Sequence, residues 1–181
     1  FDEVANDHIT DFLEEDIPEK YYYTDKYKVY PIVSDGVVSH VNNNVLYQFR
    51  RYYVRENKSN QCPTLTANMG TGGHNVPLLL DDNGIRKLTP RECFNLQGFP
   101  KDYQLPNLCD SDLYKLAGNA VSIPIVELIV EKIKNVISEL ANYLDNNSDV
   151  GSIMPLVTYP NGEIQYLCKF IPTPMNLIAR R

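Results

Sequence analysis

Several clusters in the 181-residue sequence carry groups able to do chemistry. Arg50, Arg51, Arg55 and Lys58 lie close together with one acid, Glu56, and with Tyr52 and Tyr53 among them. Closely spaced cations suit phosphate neutralisation, although composition alone favours a solvated strand face. Gly70-Thr71-Gly72-Gly73 is a loop whose backbone can approach another surface closely. It lacks the Gly-Lys-Ser/Thr element of a phosphate loop. His74 follows it with no carboxylate and cysteine at catalytic spacing, so it reads as a hydrogen-bonding loop residue rather than an acid or base. Gly118-Asn119-Ala120-Val121 immediately precedes a helix, where backbone N–H groups and partial positive charge collect. The cysteines, Cys62, Cys93, Cys109 and Cys168, form no CxxC pair. Neither a metal site nor a disulfide scaffold is expected, and the thiols suit a reducing interior.

The elements that must hold these clusters change character along the chain. Residues 1–40 carry ten acids and three bases. The net charge of −6 therefore comes from this acidic start, and residues 41–181 balance to +1. Residues 1–28 read as a linker or cap with little structure of its own, with one helical turn near Asp11. Val29–Val33, Val37–Val41 and Val45–Val54 are rich in strand formers, and Pro63–Ala67 and Pro77–Leu80 are further strand candidates. Asp81-Asp-Asn-Gly84 is a turn signal. Thr89-Pro90-Arg91-Glu92 is a capping box with proline at the first helical position, and Gly98 is the expected helix end. Asp110 or Ser111 caps another short helix through Leu116. Ile125, Ile129, Ile133, Val136, Leu140 and Leu144 then recur at three- and four-residue steps, as on one face of a long amphipathic helix. Residues 154–159 and 164–170 flank Pro160-Asn-Gly-Glu163 as an expected hairpin. No apolar run approaches the roughly 20 residues of a membrane helix, so no membrane partner is expected. No basic-then-apolar leader is visible, and the initial Phe1 suggests a fragment or a processed chain.

Longer segments carry a resemblance. Residues 86–100, Arg-Lys-Leu-Thr-Pro-Arg-Glu-Cys-Phe-Asn-Leu-Gln-Gly-Phe-Pro, resemble the ninth motif of DNA (cytosine-5) methyltransferases. Residues 116–126, Leu-Ala-Gly-Asn-Ala-Val-Ser-Ile-Pro-Ile-Val, resemble the tenth, at the spacing the family uses. Residues 50–58 and 63–77 resemble the target-recognition domains of bacterial restriction–modification methylases. The resemblance covers about residues 45–135, more loosely 1–44. It implies that Thr64, Leu65, Thr66, Gly70, Thr71, Gly72, Gly73 and His74 face the DNA major groove. Arg50, Arg51, Tyr53, Arg55 and Lys58 then contact the duplex, chiefly at phosphates. It also implies that Thr89, Arg91 and Glu92 support the recognition domain, with Arg91 organising its base through hydrogen bonds. Asn119, Ala120 and Val121 become the edge of an S-adenosylmethionine pocket whose main walls lie outside this chain.

The family's Pro-Cys-Gln nucleophile and Glu-Asn-Val acid have no counterpart here. Gln61-Cys62-Pro63 runs in reverse order within the recognition segment. Glu56-Asn57-Lys58 matches in part but lies on the wrong side of the motif order. Gln48-Phe-Arg50-Arg51 faintly resembles the eighth motif, with Tyr52 where its second arginine belongs.

The expected fold is α+β. A recognition domain spans 1–87, a helical segment 88–145 completes a Rossmann-like catalytic domain absent from this chain, and 146–181 is an extension. The implied function is sequence-specific reading of double-stranded DNA for cytosine-5 methylation in a bacterial cytoplasm. This chain alone would be inactive and would need the domain carrying motifs one to eight, in cis or as a separate subunit. The rivals are a natural subunit of a split enzyme and a DNA-binding remnant without methylation. Alone, the long helix's apolar face is expected to self-associate or to hide under the 154–170 hairpin.

Overall fold

A computed structural model describes residues 8–57, 61–70, 76–153 and 158–163. Strands β1 (Leu46–Arg50) and β2 (Tyr53–Asn57) form one antiparallel hairpin, and β3 (Pro77–Asp81) and β4 (Gly84–Lys87) form another. β1 also pairs with β3, giving the order β2-β1-β3-β4. The β3–β4 turn closes as its residues predict, with the Asp81 Oδ1 accepting from the N–H groups of Asn83 (2.9 Å) and Gly84 (3.1 Å).

Both faces of the sheet are packed. Successive side chains alternate between faces and directly paired residues share one. Tyr47, Phe49 and Leu78 therefore meet Val33 and Val37 on one face. Leu46, Leu79 and Leu88 join Phe94, Tyr114 and Met69 in the other core.

Two expected strands do not form. Val29–Val33 gives way to helix α1 (Tyr30–Gly36), and Val37–Val41 is irregular, with a 3-10 turn beginning at its last residue (Val41–Asn43). Pro31 has no N–H for a ladder but suits a first helical turn. Val33 and Val37, four residues apart, both bury against the sheet, so packing overrides β propensity. The expected strand Val45–Val54 is the β1–β2 hairpin, turning at Arg51-Tyr52, with Arg51 held at φ 46°. Pro63–Ala67 belongs to no strand.

Residues 8–28 are a packed strap rather than a loose linker. Ile9 and Tyr21 are buried, and Tyr22 bridges to Arg86. The Ile9 N–H donates to Asn44 Oδ1 (2.7 Å), and Asn95 Nδ2 donates to the Phe12 carbonyl (2.9 Å).

Helix α2 (Pro90–Leu96) starts at its capping box and ends with Gly98 at φ 86°. Helix α3 (Asp110–Asn119) runs three residues beyond the expected Leu116, and α4 spans Ile123–Asn146. Contacts divide the chain into two units, 1–126 and 127–181. On α4, Ile129, Ile133 and Val136 are exposed. The stretch Asp110–Asn146 contains a window of mean hydropathy 1.5, long and apolar enough by those measures alone to cross a membrane, which the sequence did not lead one to expect. It is broken at residues 120–122 between α3 and α4, and a bilayer would leave that backbone unsatisfied. The expected 154–170 hairpin falls largely outside the described residues. Its turn is described, with Tyr159 N–H donating to the Glu163 carbonyl (2.7 Å).

Candidate nucleic-acid interface

The basic cluster sits on the β1–β2 hairpin. Register puts Arg50, Tyr53 and Arg55 on one face of that hairpin, because Arg50 pairs with Tyr53 and Arg55 with Gln48. All three are exposed, and Arg51 and Tyr52 form the exposed tip. Val54 faces the other way, against Gly36. Arg51 is one of two described non-glycine residues with positive φ, a conformation that costs an L side chain about 1–2 kcal/mol. Lys58, Thr71, Gly72, Gly73 and His74 lie outside the described residues.

The segment 61–70 begins beside this hairpin, where the Asn57 side-chain amide donates to the Gln61 carbonyl. Thr64 is exposed, whereas Leu65 packs against the core and Met69 is fully buried as an anchor. A turn closes with Met69 N–H donating to the Thr66 carbonyl (3.0 Å) and the Thr66 hydroxyl donating to Asn68 Oδ1 (2.7 Å). This turn rests on α3. A Cβ at Gly118 would fall 2.3 Å from the Thr66 carbonyl and 2.5 Å from the Ala67 nitrogen. A Cβ at Gly70, which has φ +86°, would meet the Tyr114 ring at 2.6 Å. Glycine at 118 thus lets two backbones touch where any side chain would separate them.

Asn119, Ala120 and Val121 follow directly, with Asn119 and Val121 exposed. The end of α2 holds this region from below. Gln97 Nε2 donates to the Ala117 carbonyl (3.2 Å), and the Gln97 carbonyl accepts from Ile123 N–H (2.9 Å). The segments 64–70 and 119–121 are therefore joined through one helix turn.

The strap, β4 and α2 share a buried polar network, of which the sequence marked Thr89 and Glu92 as supports but not Arg86, Asp81 or Glu14. Arg86 is 1% exposed and Glu92 0%. Arg86 donates from both terminal nitrogens to Glu92 (2.8 Å each) and from Nε to Asp81 (2.6 Å), the bidentate geometry of a strong ion pair. Glu92 also accepts from the N–H groups of Thr89 (2.7 Å) and Glu14 (3.1 Å), and the Thr89 hydroxyl donates to Glu14 (2.6 Å). Strap, sheet and α2 are tied at one point. Arg91, to which the resemblance assigns this organising role, leaves its Nη1 buried without a hydrogen-bond partner. It is Arg86, on β4 beside the N-terminus of α2, that makes the hydrogen bonds.

Burial pushes the Cys62 thiol up to about 12 and raises that of Cys93 as well, so neither is a thiolate near neutral pH. Iodoacetamide at pH 8 is expected to alkylate the exposed Cys109 in the folded chain and to spare Cys62 and Cys93 until unfolding. Mass mapping after a short pulse checks this, and early labelling of Cys62 would contradict it. Among the described residues no group of three or more His, Cys, Asp or Glu side chains is placed to hold a metal.

A small two-hairpin sheet carrying exposed arginines on its first hairpin, with a glycine-seated turn resting on a helix, makes a mixed α+β module. The C-5 cytosine-specific DNA methylase family model matches residues 2–135, and the chain belongs to that family. It is 55% identical over 122 residues to the type II methyltransferase M.Bsp6I of Bacillus sp. (strain RFL6), covering 67% of this chain and 38% of that protein. M.HpaII of Haemophilus parainfluenzae is 39% identical over 71 residues, covering 39% of this chain and 19% of that protein. The chain thus spans well under half the length of these relatives. The S. pombe Dnmt2 methyltransferase crystal structure shares the fold, at TM-score 0.51 and 18% identity, with 76% of this chain and 44% of that one covered.

Proposed function

We propose that this chain is the DNA-reading and C-terminal part of a bacterial cytosine-5 DNA methyltransferase of the restriction–modification type, acting in the cytoplasm. Residues 1–87 form the recognition domain and 88–145 the segment that returns to a Rossmann-like catalytic domain carrying motifs one to eight. One observation carries the reading: the 64–70 turn is seated by Gly118 directly on the helix that leads into Asn119-Ala120-Val121. A module that reads bases and one that borders the cofactor must be held in fixed relation if the read sequence is to decide which cytosine reacts.

In this reading Thr64 and Thr66 offer hydroxyls to base edges, and the following glycine-rich loop and His74 face the same groove. Arg50, Arg51, Arg55 and Lys58 neutralise phosphates, with Tyr53 between them. Thr89, Glu92 and Arg86 hold the base of the domain rigid. Asn119 and Val121 suit the edge of an S-adenosylmethionine site, because both are exposed, Asn119 as the last residue of α3 and Val121 in the break before α4, and Val121 is an apolar side chain left open (65% exposed). The cofactor supplies the methyl group when bound. This chain supplies position and selectivity, and its sequence holds neither a Pro-Cys-Gln nor a Glu-Asn-Val segment, so it is inactive alone.

The test is methyl transfer from labelled S-adenosylmethionine to unmethylated duplex DNA, with this chain alone and then with a motif-one-to-eight fragment of a similar type II methyltransferase. Activity only on addition supports the reading, and activity of this chain alone refutes its dependence. No activity in either case favours the DNA-binding remnant. Arg50→Ala and Arg55→Ala are each expected to lower the slope of log affinity against log salt by about 0.9 for each phosphate that is no longer neutralised. An unchanged slope removes that arginine from the interface.

A further inference from the structure

On the strap side of the sheet lies a cavity of about 230 Å³ that the methylation reading does not use. Its walls are aromatic: Tyr23 and Tyr27, whose ring centroids lie 5.5 Å apart, and Phe49 of β1. Its other side is cationic, with Lys20 of the strap and Lys87 at the end of β4. Register sets Phe49 and Lys87 on the same sheet face, opposite Arg50 and Arg55. The cavity is therefore distinct from the basic hairpin face.

The two ammonium groups share one carboxylate unequally. Lys20 is paired with Asp110 at 2.6 Å, and Asp110 also accepts from the Tyr21 hydroxyl at 3.0 Å. Lys87 Nζ hydrogen-bonds to no acceptor among the described residues. It is left over the faces of Tyr21 and Tyr114, at 5.6 and 5.7 Å from the centroids. Ring faces attract a cation but do not take its N–H bonds. A half-buried ammonium with unused donors disfavours its own charge, and burial indeed pushes the Lys87 amine below its ordinary value. An anion entering the cavity would accept those donors. Beside it a planar ring would meet Tyr23, Tyr27 and Phe49. The volume is below the roughly 300–1,000 Å³ of drug-sized pockets, which suits one base and its phosphate rather than a length of duplex.

We propose that this cavity binds a single nucleotide, with the phosphate on Lys87 and Lys20 and the base against the Tyr23, Tyr27 and Phe49 rings. The ligand is a nucleoside monophosphate, whether free or as the 5′-phosphorylated end of a single strand. Both offer the same chemistry to the same walls. The proposal stands apart from the methyltransferase reading, since the cavity includes none of the residues assigned to DNA or cofactor there.

Isothermal titration of the full chain with CMP and with AMP tests it, beside cytidine and inorganic phosphate as half-ligands. Saturable nucleotide binding is expected, with both half-ligands at least about tenfold weaker. Lys87→Gln removes a charge-assisted hydrogen-bond donor and is expected to weaken binding about tenfold. Because that substitution also lies within β4 and its packing, Tyr27→Ser is made as well. Tyr27 is 45% exposed, so its loss opens no core, and it too should weaken nucleotide binding while leaving the melting curve in place. A 5′-phosphorylated trinucleotide binding as tightly as CMP identifies a strand end as the source, whereas binding of the mononucleotide alone identifies a free nucleotide. Either result supports the site. The proposal is overturned if no nucleotide binds saturably, if phosphate alone binds as tightly, or if binding is unchanged in both folded variants.

Discussion

Arg86→Met is expected to lower the unfolding free energy by about 3–5 kcal/mol, the usual cost of removing one partner from a buried ion pair. The substitution keeps most of the side-chain volume but strands the Glu92 carboxylate, which is 0% exposed. Its backbone donors at Thr89 and Glu14 remain, yet the two guanidinium bonds at 2.8 Å are gone. Glu92→Met should cost a similar amount by stranding Arg86. The double variant Arg86→Met/Glu92→Met should recover most of the loss, because no unpaired charge is then left in that core. Asp81 does not undo the recovery. It keeps the Tyr22 hydroxyl (3.1 Å) and the turn N–H groups of Asn83 and Gly84. Urea unfolding followed by circular dichroism measures all three variants. Single variants that each cost under about 1 kcal/mol would mean that water reaches the pair, as at exposed salt bridges. The network would then be no anchor for the strap and α2.

This network also marks the limit of what sequence could tell. The capping box at Thr89-Pro-Arg-Glu92 was legible because its chemistry is local: both hydrogen bonds join residues three apart. The Asp81–Gly84 turn was legible for the same reason, and α4 because its apolar residues recur over many turns. Arg86 was not, since an arginine on a strand reads as exposed unless its partners are known. Those partners, Asp81 and Glu92, are brought to it by a turn and a helix start. Helix α1 was misread because Val-rich segments favour strands on average, while the decisive term was the burial of Val33 and Val37 against β1. Of the candidate interface, the basic cluster was visible as composition. Its common face needed the register of β1 on β2. Gly118 stood in plain sight within the tenth-motif segment, but its task, admitting the Thr66–Ala67 backbone, exists only in three dimensions.

Gly118→Ala is therefore expected to reverse the ordinary sign of a glycine-to-alanine change in a helix. Where nothing crowds the added methyl, alanine gains about 0.5–1 kcal/mol over glycine within a helix. Here the methyl would stand 2.3 Å from the carbon and oxygen of the Thr66 carbonyl. Backbone cannot swing aside as a flexible side chain does, so the 64–70 turn must lift from α3. Overpacking of this kind costs about 1–3 kcal/mol, which should leave the variant net destabilised. Gly151→Ala, outside any helix and with nothing within 4 Å of the added atom, is the uncrowded control and should leave stability nearly unchanged. The more telling readout is local. Limited proteolysis should find new cleavage within residues 61–70 in Gly118→Ala and none in the control, because the turn that buries Met69 no longer has its seat. If the chain works as proposed, adding the motif-one-to-eight fragment should then restore methyl transfer poorly, with kcat/KM at least about tenfold lower than for the unaltered chain. A destabilised Gly118→Ala that still transfers methyl at full rate would mean that the 64–70 turn need not ride on α3 to be read with the cofactor edge. That result would break the link on which the proposed function rests while leaving the fold as described.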